Sequence, residues 1–349
     1  MSSRTIRLDR KQELWGRYSS NLPRHLIGLA RHLQAETMRE LDGHGYRALR
    51  LSFEPYISLV GDDGCRLRDL AEALGISKQA CNQAADEIEA AGYLARVADP
   101  DDRRGKRLVL TARGRALRRD GLAAARRVQR SYAALLGKER LARLLRICAR
   151  LDGGLVERSA LAAVPQAGAE LGALLPRLSR YLMRSLMDRT RARGHGGLKL
   201  SHGQVLGLIG PTGGRMQQMA RIQQVSKQAI GAVARDLEAL GYISRSADPD
   251  DARQVVLALT SRGLRLLEDS IASVDGLCAE FAALLGAAEL ADLEALAAEL
   301  YLELGLEQEV FATPDEIGRL ARSLKQQLGA HGARALAQLL HDHPGDSAP

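Results

Sequence analysis

Thirty-five residues of this chain recur almost unchanged further along, and this recurrence limits the folds open to it. Residues 77–111 align with residues 226–260 without a gap, 149 positions apart, and 19 of the 35 positions are identical. The shared strings are SKQA, GY, ADPDD and a closing LT. Because this period is far longer than the unit of a solenoid, the sequence predicts a duplicated domain.

Each copy begins with two helical segments joined by a short turn. In the first copy, residues 67–76 are apolar with helical spacing, and Ser77 follows at the position expected of an N-cap. Gly92 and Gly241 come just after the second helix, where a left-handed residue is expected. The apolar positions of the second helix are Cys81, Ala84, Ala85 and Ile88 in the first copy and Ile230, Val233, Ala234 and Leu237 in the second.

The pattern then changes from the helical period to alternation. The strings YLARV and RLVLT predict two short strands, joined by an Asp-Pro-Asp-Asp turn. The composition of residues 112–165 and 261–310, approximately, predicts long helices rich in Ala, Leu and Arg. The predicted fold is therefore mainly α with small β-hairpin wings: two winged helix-turn-helix lobes in one chain, joined by a helical, dimerisation-like scaffold.

A helix-turn-helix exposes one face of its second helix, and that face fits the major groove of DNA. This face is rich in amides in the first copy, which favours contact with base edges. In the second copy Gly231 and Ala232 replace two of the amides and lack their reach. The predicted DNA-binding residues of the recognition helices are Ser77, Lys78, Gln79, Asn82 and Gln83, and Ser226, Lys227 and Gln228.

The hairpin of the first copy is strongly basic, whereas that of the second is not. A basic hairpin can lie along the DNA backbone or insert into a narrow minor groove. We expect Asp102 and Asp251 to orient the arginine two residues further on. A solvated basic turn is the alternative. The predicted wing contacts are Arg103, Arg104, Lys106 and Arg107 in the first copy and Arg253 in the second.

The stretch ISKQACNQAADEIEAAGYLARVADPDDRRGKRLVLTARG resembles the recognition helix and wing of the MarR family of bacterial transcriptional regulators. The resemblance implies a dimeric regulator whose N- and C-terminal helices form the dimer interface. Its two lobes would read the halves of a pseudo-palindrome. Such regulators often bind small, frequently phenolic effectors between the dimer helices and the lobes, so a small aromatic effector is a second candidate partner. Family members have about the length of one copy, so a monomer of this chain is expected to act as an intramolecular pseudo-dimer.

Composition and motifs narrow the function further. The formal net charge of +8 permits an acidic partner such as DNA. The four cysteines form no metal-like cluster, and we expect no metal, no cofactor, no membrane segment and a cytoplasmic location. No catalytic motif is apparent, so an enzyme is not expected. The predicted domains are residues 1–163, 164–312 and a helical C-terminal extension at 313–349.

The sequence thus predicts a transcriptional regulator that binds double-stranded DNA at an asymmetric operator, with the first copy contributing more of the base readout. The alternative is a small-molecule-sensing module in which the second copy has lost DNA readout and serves as a scaffold. Cys81, in the recognition helix, is predicted to be a core residue, with a redox switch as the alternative.

Overall fold

The structure, a computed structural model, describes residues 3–46, 48–74, 76–99, 102–157, 170–222, 226–248 and 254–306, without the side chains of residues 3–9, 102–105, 156–157, 200, 204 and 222. The predicted boundary near residue 164 and the extension from residue 313 lie outside these ranges. In the first copy the helices are α1 (Ser3–Ser19), α2 (Leu22–Asp42), α3 (Glu54–Val60), α4 (Leu67–Leu74), α5 (Lys78–Ala90), α6 (Ala112–Leu136) and α7 (Lys138–Glu157), and the strands are β1 (Cys65–Arg66), β2 (Leu94–Asp99) and β3 (Asp102–Leu110).

The second copy repeats this order from α2 onwards. Its helices are α8 (Leu171–Ala192), α9 (Leu200–Leu206), α10 (Met216–Ile222), α11 (Lys227–Ala239), α12 (Ser261–Leu285) and α13 (Ala287–Glu303), and its strands are β4 (Gly214–Arg215), β5 (Ile243–Ala247) and β6 (Val255–Leu259). Helices α5 and α6 begin and end 149 residues before α11 and α12, so the repeat in the sequence is a repeat in structure. The predicted fold class is confirmed: each copy contains a winged helix-turn-helix.

Two details of the prediction are corrected. Each wing is a three-stranded antiparallel sheet, in the order β1-β3-β2 and β4-β6-β5, and not a two-stranded hairpin. The added strand has only two residues, which is too short to show alternation in the sequence. Each predicted long helix is in fact two helices. They are separated by Gly137 and Gly286, whose positive φ angles of 81° and 83° end the first helix.

Each lobe has its own apolar core behind the recognition helix. In the first lobe Cys81, Ala85 and Ile88 are fully buried, and Leu108 and Leu110 of the wing pack against the same core. Ile230, Ala234 and Leu237 do the same in the second lobe. The predicted apolar faces are thereby confirmed. Since these faces are turned inward, the opposite face of each recognition helix is exposed to solvent.

Helices from both copies pack together between the lobes. Helix α2 contacts α6 and α8, α13 contacts α2 and α7, and α1 reaches across to α12 of the other copy. Arg10 and Arg17 of α1 hold this crossing by ion pairs to Glu268, at 2.7 Å, and Asp275, at 2.9 Å. Among the described residues, no helix is both long and apolar enough to cross a membrane.

Candidate nucleic-acid interface

The recognition helix of the first lobe, α5, begins at a capped N-terminus. Ser77 Oγ accepts a hydrogen bond from the backbone N–H of Ala80 at 3.1 Å, which confirms the predicted N-cap. Lys78, Gln79 and Gln83 are exposed and hydrogen-bond to no other described residue. These three side chains can therefore reach a ligand without breaking an internal contact.

Asn82 differs from the other predicted contacts because the lobe already uses its side chain. Its Nδ2 donates to Asp86 Oδ2 at 3.1 Å, and its Oδ1 accepts from Arg96 of β2 at 3.1 Å. Arg96 also forms ion pairs with Asp86 and Glu89. This network ties the wing strand to the recognition helix, so Asn82 helps to position the wing as well as facing outward.

The second recognition helix, α11, begins in the same way. Ser226 Oγ accepts from the N–H of Ala229 at 3.1 Å, and Lys227 and Gln228 are exposed. Gly231 is buried and Ala232 is exposed, so the face is flat where Asn82 and Gln83 stand in the first lobe. The first turn of the two helices is thus alike, and the second turn is not.

The wing of the first lobe carries the predicted basic residues along β3. Lys106 lies opposite Ala98 and is exposed, whereas Arg107 lies opposite Val97 and is half-buried. Arg107 therefore stands at the base of the wing, between β1 and β2. The side chains of Asp102, Arg103 and Arg104 lie outside the described part of the chain, as do Asp251 and Arg253 altogether.

The first aspartate of each ADPDD string has a role that the sequence reasoning missed. Asp99 is buried and accepts from Arg66 Nε of β1 at 2.5 Å. Asp248 is buried and forms the equivalent ion pair with Arg215 of β4. The signal was present, because Arg66 and Arg215 also lie 149 residues apart. These ion pairs attach the short strands β1 and β4 to the rest of each wing, and they thereby hold the base of the wing in position.

Neither cysteine near the recognition helix has the surroundings of a reactive thiol. Cys81 is fully buried, and burial raises the pKa of its thiol. Burial, followed by the charge of Asp69, raises the pKa of Cys65 to about 11. Cys81 is therefore the core residue that its helical position predicted. No group of His, Cys, Asp or Glu suited to a metal ion occurs among the described residues.

Comparison with known proteins gives a family match in both lobes. The MarR family model matches residues 56–105 and 196–254, which run from the helix before the helix-turn-helix to the wing in each copy. No curated protein gives a significant match to the chain.

Three solved structures are similar to parts of the chain. A transcriptional regulator from Thermotoga maritima is 25% identical over 37% of this chain and 89% of its own, with a TM-score of 0.29. A probable transcriptional regulator from Pseudomonas aeruginosa is 28% identical over 35% of this chain and 96% of its own, with a TM-score of 0.27. A MarR-family transcriptional regulator from Rhodococcus sp. RHA1 is 22% identical over 43% of this chain and 100% of its own, with a TM-score of 0.32.

Proposed function

We propose, from the premise that both lobes match the MarR family of transcriptional regulators, that one chain binds one duplex operator as a covalent pseudo-dimer in the cytoplasm. The observation that carries the proposal is the pair of capped recognition helices, α5 and α11, each exposing a lysine and a glutamine on its first turn. A recognition helix contacts base edges with its N-terminal residues. The proposed contacts are those predicted from the sequence in both helices and both wings.

The scaffold supports pairing within the chain. Helices α7 and α13 occupy equivalent places in the two copies and contact each other. Three ion pairs join them: Arg140 with Glu299, Arg143 with Asp292, and Arg150 with Glu289. Position 140 is equivalent to 289, 143 to 292 and 150 to 299. The pairs are therefore arranged as in a two-fold interface, with arginines on one copy and carboxylates on the other.

This charge pattern favours pairing of a first copy with a second copy over pairing of two identical copies. If two first copies met through the same surface, arginine would face arginine at all three positions, and two second copies would bring carboxylates together. Like charges at ion-pair distance repel each other, whereas the opposite charges observed at these three positions attract each other. We infer that the charges specify pairing between the two copies of a chain. Because the partner is covalently attached, assembly does not depend on protein concentration.

Unlike lobes imply an unlike pair of half-sites. Identical subunits must read identical half-sites, whereas α5 and α11 differ from their second turn onwards. We propose an operator that is pseudo-palindromic in spacing, with half-sites about one helical turn or 34–36 Å apart, and asymmetric in sequence.

We also propose that the chain binds a small aromatic effector. A shallow cleft between α1 and the base of the second wing is lined by Lys11, Trp15, Pro211, Leu259 and Leu264, and it offers an aromatic ring and apolar side chains to such a ligand. The alternative, a sensing module in which the second lobe no longer reads DNA, would use the same cleft.

Selection of bound duplexes from random DNA tests the proposal. The full chain should enrich a bipartite motif with two unlike halves. A single half-site would favour the sensing alternative, in which one lobe reads and the other is scaffold. No enrichment at moderate salt would contradict DNA recognition by this chain.

A further inference from the structure

The two lobes carry their positive charge in different places. The segment 67–99, which spans the first helix-turn-helix and β2, has three basic and six acidic residues, a net charge of −3. The equivalent segment 216–248 has four basic and three acidic residues, a net charge of +1. The first lobe has most of its basic residues in the wing, and the second has most of them in the helix-turn-helix. Fewer basic residues in the second wing therefore do not make the second lobe less positive.

Arg235 of α11 is the residue that changes the recognition face most. It takes the place of Asp86 in α5, and it is exposed. One of its guanidinium nitrogens, Nη1, lies 3.7 Å from the position that a Cβ on Gly231 would take. Side chains on a helix lean towards its N-terminus, so Arg235 covers the flat surface one turn earlier. The guanidinium thus lies near the place where Asn82 stands in the first lobe.

The charges around Arg235 are already paired with other groups. Asp236 binds Lys199 Nζ at 2.7 Å, and Glu238 binds Arg245 at 2.5 Å. Arg235 itself has no hydrogen bond or ion pair with any other residue that the structure describes. Lys227, the other cation of α11, likewise has no ion pair with the residues that the structure describes. In the first lobe the equivalent Asp86 is bound by Asn82 and Arg96.

We propose that Arg235 reads a guanine in the second half-site. The inference rests on the proposed function and deepens it, since it makes the second lobe a reader and not a scaffold. The planar guanidinium forms two parallel hydrogen bonds to guanine O6 and N7 in the major groove. Gly231 and Ala232 leave room for it to lie against the helix. Arg221, exposed at the place of Glu72, adds a cation suited to a neighbouring phosphate.

The first experiment repeats the selection from random duplexes with wild type and Arg235→Ala. Wild type should enrich a motif with a guanine in one half, and the variant should lose the preference at that position only. The variant should also bind the wild-type motif roughly 5- to 150-fold more weakly, the range for losing one bidentate base contact. Because Arg235 is exposed, the variant should keep the wild-type melting temperature.

Two further variants separate base reading from plain charge. Arg235→Lys keeps the positive charge without the planar fork, so it should retain part of the affinity and show a weaker preference for guanine than wild type. Arg146→Ala removes an exposed arginine from α7 and should leave both the affinity and the motif unchanged.

The outcomes distinguish this inference from the proposed function. If wild type selects a two-part motif and Arg235→Ala selects the same motif with equal affinity, the assignment of Arg235 is wrong and DNA recognition stands. A guanine preference that survives in Arg235→Ala, even at lower affinity, would also overturn base reading by this residue. If wild type selects no motif, both the proposed function and this inference fail.

Discussion

At the scale of single residues, the aspartates of the repeated ADPDD string have different roles in the wing. From the sequence, the last aspartate of each string, Asp102 or Asp251, is predicted to orient a wing arginine, and that stays a prediction. In the structure the first aspartate of each string, Asp99 or Asp248, is buried and has a separate role: it binds the arginine of the short strand, β1 or β4. Sequence reasoning missed this role because the partner, Arg66 or Arg215, lies 33 residues earlier in the chain. The recurrence of this arginine at the repeat spacing was a signal in the sequence, but only the fold shows that it pairs with the aspartate.

The wing prediction can be tested at one residue. Arg104→Ala removes one cation from the predicted wing contact, so binding to the selected duplex should weaken. The slope of log affinity against log salt should become shallower by about one, since fewer counterions are released. Fluorescence anisotropy over a salt series measures both. Arg146→Ala is the control with the same change of charge, and unchanged affinity of Arg104→Ala at moderate salt would show that the wing assignment is wrong.

His25 predicts a specific pH dependence of stability. Its ring centroid lies 4.9 Å from that of Tyr301, and burial, assisted by Arg24, lowers the pKa of His25 to about 4 from its ordinary 6.5. Between these values the unfolded chain binds more protons than the folded one. Stability therefore falls as the pH drops through this window, by about 3 kcal/mol in all, at about 1.4 kcal/mol per pKa unit.

Urea unfolding at several pH values between 7 and 4 measures this loss. His25→Gln should lose less stability on acidification than wild type, because the titrating group is gone. Gln34→Ala, on the same helix and without a titrating group, should follow wild type. Equal losses in wild type and His25→Gln would contradict the assignment.

At the scale of elements, the local sequence pattern predicted most of the helices and strands in each lobe. The recognition helices, their caps and their buried faces follow from apolar spacing and from Ser77 and Ser226. The two-residue strands β1 and β4 could not be predicted, since pairing with the distant β3 and β6 creates them. The division of the long helices was within reach, because Gly137 and Gly286 recur at the same spacing as the rest of the repeat.

Helix packing in the scaffold depends on one close approach. A Cβ added at Gly28 of α2 would lie 2.3 Å from Tyr301 Cε2 of α13, and Tyr301 is buried. Gly28→Ala should therefore lower the free energy of unfolding by about 1–3 kcal/mol, although alanine is the better helix former. Gly16→Ala of α1, with nothing within 4 Å, should instead gain up to about 1 kcal/mol. Chemical denaturation of both variants makes the comparison, and a stabilised Gly28→Ala would contradict the close packing of α2 on α13.

At the scale of the whole molecule, the charge pattern between α7 and α13 predicts a reciprocal result. The triple variant Arg140→Glu, Arg143→Asp and Arg150→Glu places like charges at all three pairs, so it should lower the melting temperature. The complementary variant Glu289→Arg, Asp292→Arg and Glu299→Arg should do the same. Combining both triple variants restores opposite charges and should recover most of the loss. Thermal melts with light scattering measure this, and additive losses in the combined variant would contradict specific pairing.

The mass of the complex between the chain and its selected duplex tests the central claim most directly. Native mass spectrometry or light scattering counts the chains bound to one operator. A covalent pseudo-dimer predicts one chain per two-part duplex, at concentrations where the free chain is also a monomer. Two chains per duplex would contradict it, because each lobe would then pair with a lobe of another molecule.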